Sequence, residues 1–421
     1  QVSEPISESN PVLIVGAGMA GLACAVTLHR SGVPFMLFDR DEEVGGRVQT
    51  DEINGYRLDR GFQVLLTAYP EAKRFLDYEK LELKSCYPGS RVWYDGKFCQ
   101  VSDPFRHPLD GICSVFNPIG SFFDKLKVGM LRLGFKSTRD MPDDLSTMEA
   151  LQSLGFSHSI IDRFWKPFMR GVFLENDLST SVRKFEETFR LFAQGETTLP
   201  RRGIGEIPKQ MAEKLPAEQL KLGHAVSDVH AQEIKTKDGK IWQGRAVVLA
   251  TDFESADRLL KKDSKPMRWN TVDCFYYSFP ETELPIERPI LHLNGSCEGP
   301  INNLSFISSF TDCAPVGKGL LSASVIGQKK KRIEELEIEA RQQLIEWFGP
   351  KAQKWENIKV YRIKQAVPVC ENSAKQESKI NGIYRCGDYL GIPSIDTAMR
   401  SGREVAGFIL NSATNCTNCH G

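Results

Sequence analysis

Short apolar runs that stop at glycine or aspartate mark both ends of this chain. Pro11-Val-Leu-Ile-Val15 carries no polar interruption, the pattern of a parallel strand buried on both faces. It runs into Gly16-Ala-Gly18-Met19-Ala20-Gly21, after which Leu22 to Arg30 has helical spacing, closed by Ser31-Gly32. A second run, Val33 to Phe38, ends in Asp39. The order strand, glycine-rich turn, helix, strand, acid predicts an α/β unit. Gly239 to Asp252 predicts a hairpin and a further buried strand. Gly382-Ile-Tyr-Arg-Cys-Gly387-Asp388 reads as a strand ending in Gly-Asp, with Gly391 to Arg403 opening a helix. Between these ends, Ile333, Leu336, Ala340, Leu344 and Trp347 share one face of a helix predicted to open at Lys329 and stop at Gly349-Pro350. Glu337 and Arg341 form an i,i+4 pair on it. Residues 104–135 are mostly apolar, with Lys125, Lys127 and Arg132 interspersed. A core-lining helix outweighs a lipid-facing or substrate-entrance helix there, although the second reading stays open.

The glycines at the first turn have separate physical roles. Gly16 permits the tight turn, Gly18 lets a diphosphate approach the backbone, and Gly21 lets the helix pack against the strand. The helix N-terminus offers free N–H groups to phosphate, and Asp39 can accept from a ribose hydroxyl. Further on, the Gly45-Gly46 pair lets a loop pass close to a ligand, and Arg47 can neutralise a phosphate. A dinucleotide site is therefore predicted.

Composition removes several alternatives. With 421 residues the chain suggests about two domains, and with Lys+Arg and Asp+Glu both at 54 it has no global field to attract nucleic acid. No apolar run is long enough to span a bilayer. Its 11 cysteines, odd in number and without regular spacing, predict mostly free thiols and a reducing compartment. That weakens the formal glycosylation sequons at Asn294, Asn303 and Asn415. The histidines lack metal spacing. The basic run Lys329 to Arg332 fits a solvated helix start better than a nucleic-acid signal.

Gly45-Gly46-Arg47-Val-Gln-Thr50 after the second strand resembles the G-G-R-x-x-[ST] segment of the large flavoprotein family of amine oxidases, protoporphyrinogen oxidases and phytoene-desaturase-type enzymes. The resemblance continues at Asp59-Arg-Gly61-Phe62, similar to the segment beside the flavin ring, and at Leu199 to Pro208, similar to the turn leading back to the FAD domain. His224-Ala-Val226 resembles the strand whose valine backbone meets adenine. Gly387-Asp388 and the helix after it resemble the C-terminal flavin signature. It implies FAD, bound by Gly16, Gly18, Met19, Ala20, Gly21, Asp39, Arg40, Gly45, Gly46, Arg47, Gly61, Phe62, Val226, Gly387, Asp388, Ser394 and Ile395. No catalytic side chain is implied, since the flavin is the reactive group. The implied architecture is α/β: a discontinuous Rossmann-type FAD-binding domain at 8–80, 200–262 and 360–412, and a mixed α+β substrate domain at 81–199 and 263–359. Residues 413–421 are expected to form a flexible tail.

The implied activity is hydride removal from a hydrophobic small molecule (isoprenoid or carotenoid-like, a pigment precursor, or an amine), with oxygen or a quinone as acceptor. Amine-oxidising members carry an aromatic pair at the flavin. Here Tyr389 follows Asp388 without an assigned partner, which favours the desaturase-like branch. A non-oxidative isomerase and a dissociation-inhibitor-type binding protein are the alternatives. Similarity of Asp59 to Leu65 to plant and cyanobacterial sequences, with Gln1 in place of methionine, sets the expectation of a plastid protein freed of a transit peptide, with a cytoplasmic protein as the alternative. Cys416-Thr-Asn-Cys419-His420 matches the c-type haem attachment pattern, but a haem needs a distal ligand and a pocket, so a mobile tail is the stronger reading.

Overall fold

The computed structural model describes residues 10–103, 105–107, 117–133, 138, 141–286, 288–327, 330–369 and 377–417, with side chains as far as 412. Val12–Val15 forms a strand with all four side chains buried, as its unbroken apolar run requires. It sits centrally in a six-stranded sheet ordered Leu220–Lys221, Phe35–Phe38, Val12–Val15, Ala246–Leu249, Ile383–Arg385, Lys379–Ile380. All pairs are parallel except the last.

The first helix, Met19–Arg30, lies on this sheet with nine of its residues buried. Against it packs the C-terminal helix, Ile395–Thr417, through Ala398, Met399, Val405, Ala406 and Ile409 in the same core. The approach is so close that a Cβ on Gly402 would overlap the carbonyl oxygen of Ala20.

A second sheet of seven strands runs Glu356–Pro368, Trp269–Pro280, Lys318–Ile326, Ile301–Phe306, Leu291–Asn294, Gly89–Tyr94, Lys97–Ser102. One face carries Phe275, Leu304, Leu321 and Val325 against Leu336, Ala340, Leu344 and Trp347 of the helix Ile333–Phe348. The i,i+4 pair forms on that helix, with Arg341 bound to Glu337 at 2.5 Å. The helix starts at Ile333, four residues after the predicted opening; Lys329 lies outside the described residues. Over the opposite face stand the helices Phe122–Arg132, Lys166–Phe173 and Val182–Gln194. Ser121 starts the first of them with a reciprocal cap: its hydroxyl accepts from the Asp124 N–H, and the Asp124 carboxylate accepts from the Ser121 N–H.

Three sequence boundaries move. The strand Glu356–Pro368 is paired with Trp269–Pro280 along its length, so position 360 falls inside the second sheet rather than at the start of a segment of the first. The C-terminal helix continues to Thr417, because its apolar stripe through Val405, Ala406 and Ile409 stays docked; the stretch 413–417, expected as flexible tail, is helical. Cys416 lies in this last turn, and Asn418 to Gly421, with the rest of the haem-like pattern, lie outside the described residues. The turn expected over Leu199 to Pro208 gives way to helix at Glu206, the first residue of the helix Glu206–Ala212.

Candidate cofactor and substrate site

The glycine-rich turn is built by close approach. Gly16 has φ +111° and an added Cβ would stand 2.6 Å from the Ala250 oxygen, so only glycine fits between the two central strands. A Cβ on Gly21 would overlap the Gly16 carbonyl, which explains the helix-packing role expected for it. Gly18 differs. Its backbone is extended, with φ −75° and ψ −177°, and a Cβ there meets nothing within 4 Å. Open space therefore faces the start of the first helix, which has no side-chain cap and no acid in its first turn. Uncapped N–H groups before an open cradle fit a diphosphate.

Asp39 secures the turn from below. One carboxylate oxygen accepts from the Ala17 N–H at 2.6 Å and the other from the Asp41 N–H at 2.9 Å. Each oxygen keeps a lone pair for a ribose hydroxyl. The Gly45-Gly46 loop lies alongside: Gly45 N–H donates to Ala17 O at 2.9 Å, and a Cβ on Gly46 would touch Gly18 Cα.

Arg47 and Asp388, 341 positions apart, meet in an ion pair at 2.6 Å. Arg47 also donates to Ala366 O at 3.0 Å and lies over the Trp269 ring at 5.5 Å. Arg47 was expected at a phosphate and Asp388 in the flavin signature, and the fold joins them to each other as well. Gly387 N–H donates to Ser401 Oγ of the C-terminal helix, fixing the Gly-Asp turn. Ser394 caps that helix by accepting from the Thr397 N–H at 3.0 Å.

Most of these residues face one cavity of about 1800 Å³. Gly16, Gly18, Met19, Ala20, Asp39, Arg40, Gly45, Gly46, Arg47, Gly61, Phe62, Val226, Gly387, Asp388, Ser394 and Ile395 line it; Gly21 lies behind the turn. The cavity exceeds the roughly 300–1,000 Å³ of ordinary ligand pockets. It continues from the first sheet across Gly61 and Phe62 to the second, where Phe164, Phe168, Phe189, Phe192, Leu291 and Leu293 enclose an apolar chamber. Phe105, Phe122, Leu126 and Leu133, all about half exposed or more, stand at its rim.

Several contributors escaped the sequence. Trp269, Tyr361 and Ala366 reach the cavity from the two adjacent strands at the end of the second sheet. Asp59, behind the cavity, accepts from Thr50 Oγ1 at 2.6 Å and from the Ile204 N–H at 3.0 Å, which ties the hairpin to the 199–206 turn. Burial pushes its carboxyl up to about 6. Tyr276, Tyr277 and His292 belong to the core, and none lines the cavity. Tyr389 is buried against Phe253, ring centroids 5.7 Å apart, so it frames no ligand. Asn294 and Asn303 are buried, which removes both as glycosylation acceptors. Among the described residues there is no metal-holding cluster, and no helix is long and apolar enough to cross a membrane. The seven described cysteines are unpaired.

Fold and site together define a dinucleotide-binding protein with an adjoining apolar chamber. The family model for flavin-containing amine oxidoreductases matches residues 19–410, and the chain belongs to that family, among FAD-dependent oxidoreductases. It is 26% identical over 175 residues, 41% of this chain, to protoporphyrinogen oxidase 2 of Arabidopsis thaliana, and 33% identical over 152 residues, 31% of this chain, to the lycopene-forming phytoene desaturase of Pantoea ananas. The matched segments span 34% and 30% of those relatives' own lengths. An oxidoreductase from Methanosarcina mazei shares the fold, with a TM-score of 0.75 at 18% identity over 94% of this chain and 99% of that one.

Proposed function

We propose that this protein removes hydride from a hydrophobic small molecule and passes the electrons to oxygen or a quinone. The observation that carries this reading is the continuity of one cavity from the glycine-rich turn to the apolar chamber. FAD, when bound, supplies the redox chemistry. The first helix N-terminus would hold the diphosphate, Asp39 the adenosine ribose, and the backbone at Val226 the adenine. Asp388, held by Arg47, would take the ribityl side. The start of the C-terminal helix would favour negative charge on the ring beside Ile395. The chamber's aromatic walls would exclude water and orient the substrate carbon. No side chain is assigned as an acid or base.

The purified protein should be yellow, and anaerobic addition of a turned-over isoprenoid or porphyrinogen should bleach it. A colourless protein with no releasable FAD defeats the proposal. A yellow protein that rearranges a substrate without bleaching would instead support a non-oxidative isomerase.

The rim supports a second, separable reading of delivery. Phe122, Phe123 and Leu126 are exposed next to Lys125 and Lys127, a combination that suits an anionic lipid surface. Co-sedimentation with phosphatidylglycerol vesicles should fall in Phe123→Asp; equal sedimentation would remove the membrane from the account.

A further inference from the structure

The floor of the apolar chamber is polar in one strip. Asn303 and Ser305 lie on one face of the strand Ile301–Phe306, and their register partners are Ser324 and Ser322 on Lys318–Ile326. Strand periodicity sends the intervening Leu304, Ala323 and Val325 into the core beneath the helix Ile333–Phe348. The four polar residues thus face the opposite way, and Asn303, Ser305 and Ser324 line the cavity. All four are buried, at 4% exposure or less.

Their hydrogen bonds are incomplete. Ser322 Oγ meets Cys274 Sγ at 3.3 Å, and Asn303 Oδ1 accepts from Asn302 at 2.9 Å. Among the described residues, the Ser305 and Ser324 hydroxyls and the Asn303 NH₂ have no protein partner. Trp165 and Ser90 also line the cavity, but their unpartnered Nε1 and Oγ are fully buried and so turned away from its open space. Buried polar groups without partners are costly, and alanine or valine would fill the same positions without that cost. A pure hydrocarbon in the chamber would leave the Asn303, Ser305 and Ser324 groups unsatisfied.

We propose that the substrate of this chamber is an oxygenated apolar molecule, whose hydroxyl or carbonyl oxygen rests on the Asn303–Ser305–Ser324 strip while its hydrocarbon body lies among the phenylalanines. This rests on the hydrophobic-substrate reading above and narrows it. The Asn303 NH₂ suits an acceptor oxygen, and the serine hydroxyls serve either a carbonyl or an alcohol. The strip is a specificity device, since a site built to bond an oxygen rejects the analogue lacking it.

The test uses FAD-loaded protein and two fifteen-carbon probes, farnesol and farnesene, titrated by calorimetry. The ratio of their dissociation constants is compared between the wild type and Ser305→Ala/Ser324→Ala. The inference expects the preference for farnesol to fall about fivefold or more in the variant, roughly the worth of one neutral hydrogen bond, with farnesene affinity unchanged within about twofold. A smaller fall, or an equal loss for both probes, overturns it; an ordered-water role for the strip would give that outcome. Ser324→Ala alone, with its melting curve, serves if the double variant is unstable. Flavin absorbance of the same samples reads the cofactor proposal separately: a yellow protein with an unchanged ratio sinks only the strip.

Discussion

Gly18→Val separates the cofactor cradle from the stability of the fold. The backbone at Gly18 is extended, a conformation valine adopts freely, and the new Cβ projects into space with nothing within 4 Å. The added Cβ therefore meets no clash in the folded chain. Valine is a poorer helix N-cap than glycine, a loss of about 1 kcal/mol that the reduced freedom of the unfolded chain partly offsets. The melting temperature of the apo-protein should move by a few degrees at most. Toward a diphosphate the effect is large. The isopropyl group occupies the approach to the helix N–H groups, and losing two charge-assisted hydrogen bonds at about 1.5–3 kcal/mol each weakens binding by roughly 3–6 kcal/mol, or about 10² to 10⁴ in Kd. Gly21→Ala is the contrasting control. Its Cβ overlaps the Gly16 carbonyl, so it should destabilise the fold itself by about 1–3 kcal/mol or more. The assay is the flavin-to-protein absorbance ratio after gel filtration, paired with thermal melts of both apo-variants. Stoichiometric FAD on Gly18→Val would falsify the placement of the diphosphate. A melt for Gly18→Val as low as that of Gly21→Ala would refute the claim that the space is empty.

Other variants probe single contacts. Asp59 has its folded pKa raised to about 6 by burial, so its contribution is fully present below its unfolded pKa and is lost as pH rises through 6; Asp59→Asn should remove about 3 kcal/mol of pH dependence between pH 4 and 6, seen as a flatter plot of Tm against pH. Arg47→Met takes the cation from Asp388, which is only 8% exposed, and should lower FAD retention at least about tenfold, whereas Arg40→Met, at a far more exposed site, should change it little. Arg403 forms two bonds of 2.9 Å to buried Glu71 and so ties the C-terminal helix to the helix Pro70–Phe75; Arg403→Met should lower Tm while leaving the flavin spectrum of the folded fraction unchanged. An altered spectrum with unchanged Tm would contradict that division.

The two ends of the chain were legible because their constraints are local. Gly16, Gly18 and Gly21 sit within six residues, and their spacing alone encodes a turn, an open approach and a packed helix. The same holds for the stripe from Leu336 to Trp347, where 3.6-residue periodicity marks the buried face. The middle was less legible because its site residues are assembled by pairing between distant strands. Nothing near Arg47 announces Ala366 or Trp269, which arrive through the alignment of Trp269–Pro280 with Glu356–Pro368. Asn303 and Ser324 look like ordinary strand residues until register puts them side by side over a cavity. The end of the C-terminal helix was misjudged for a related reason: its apolar stripe ends near 410, and the docking partner that anchors the helix lies in the first thirty residues.

The packing of the helix Ile395–Thr417 on the helix Met19–Arg30 also sets an order of events during synthesis. The glycine-rich turn is translated nearly four hundred residues before Asp388 and the capped helix start at Ser394, which complete the cavity. A nascent chain held at its C-terminus can form the first strand and helix but not the enclosure. Flavin capture is therefore expected only after the C-terminal helix has docked, and until that docking the apolar side of the first helix stays uncovered. Limiting flavin in the cell should then show itself first as lost protein and only afterwards as lost activity.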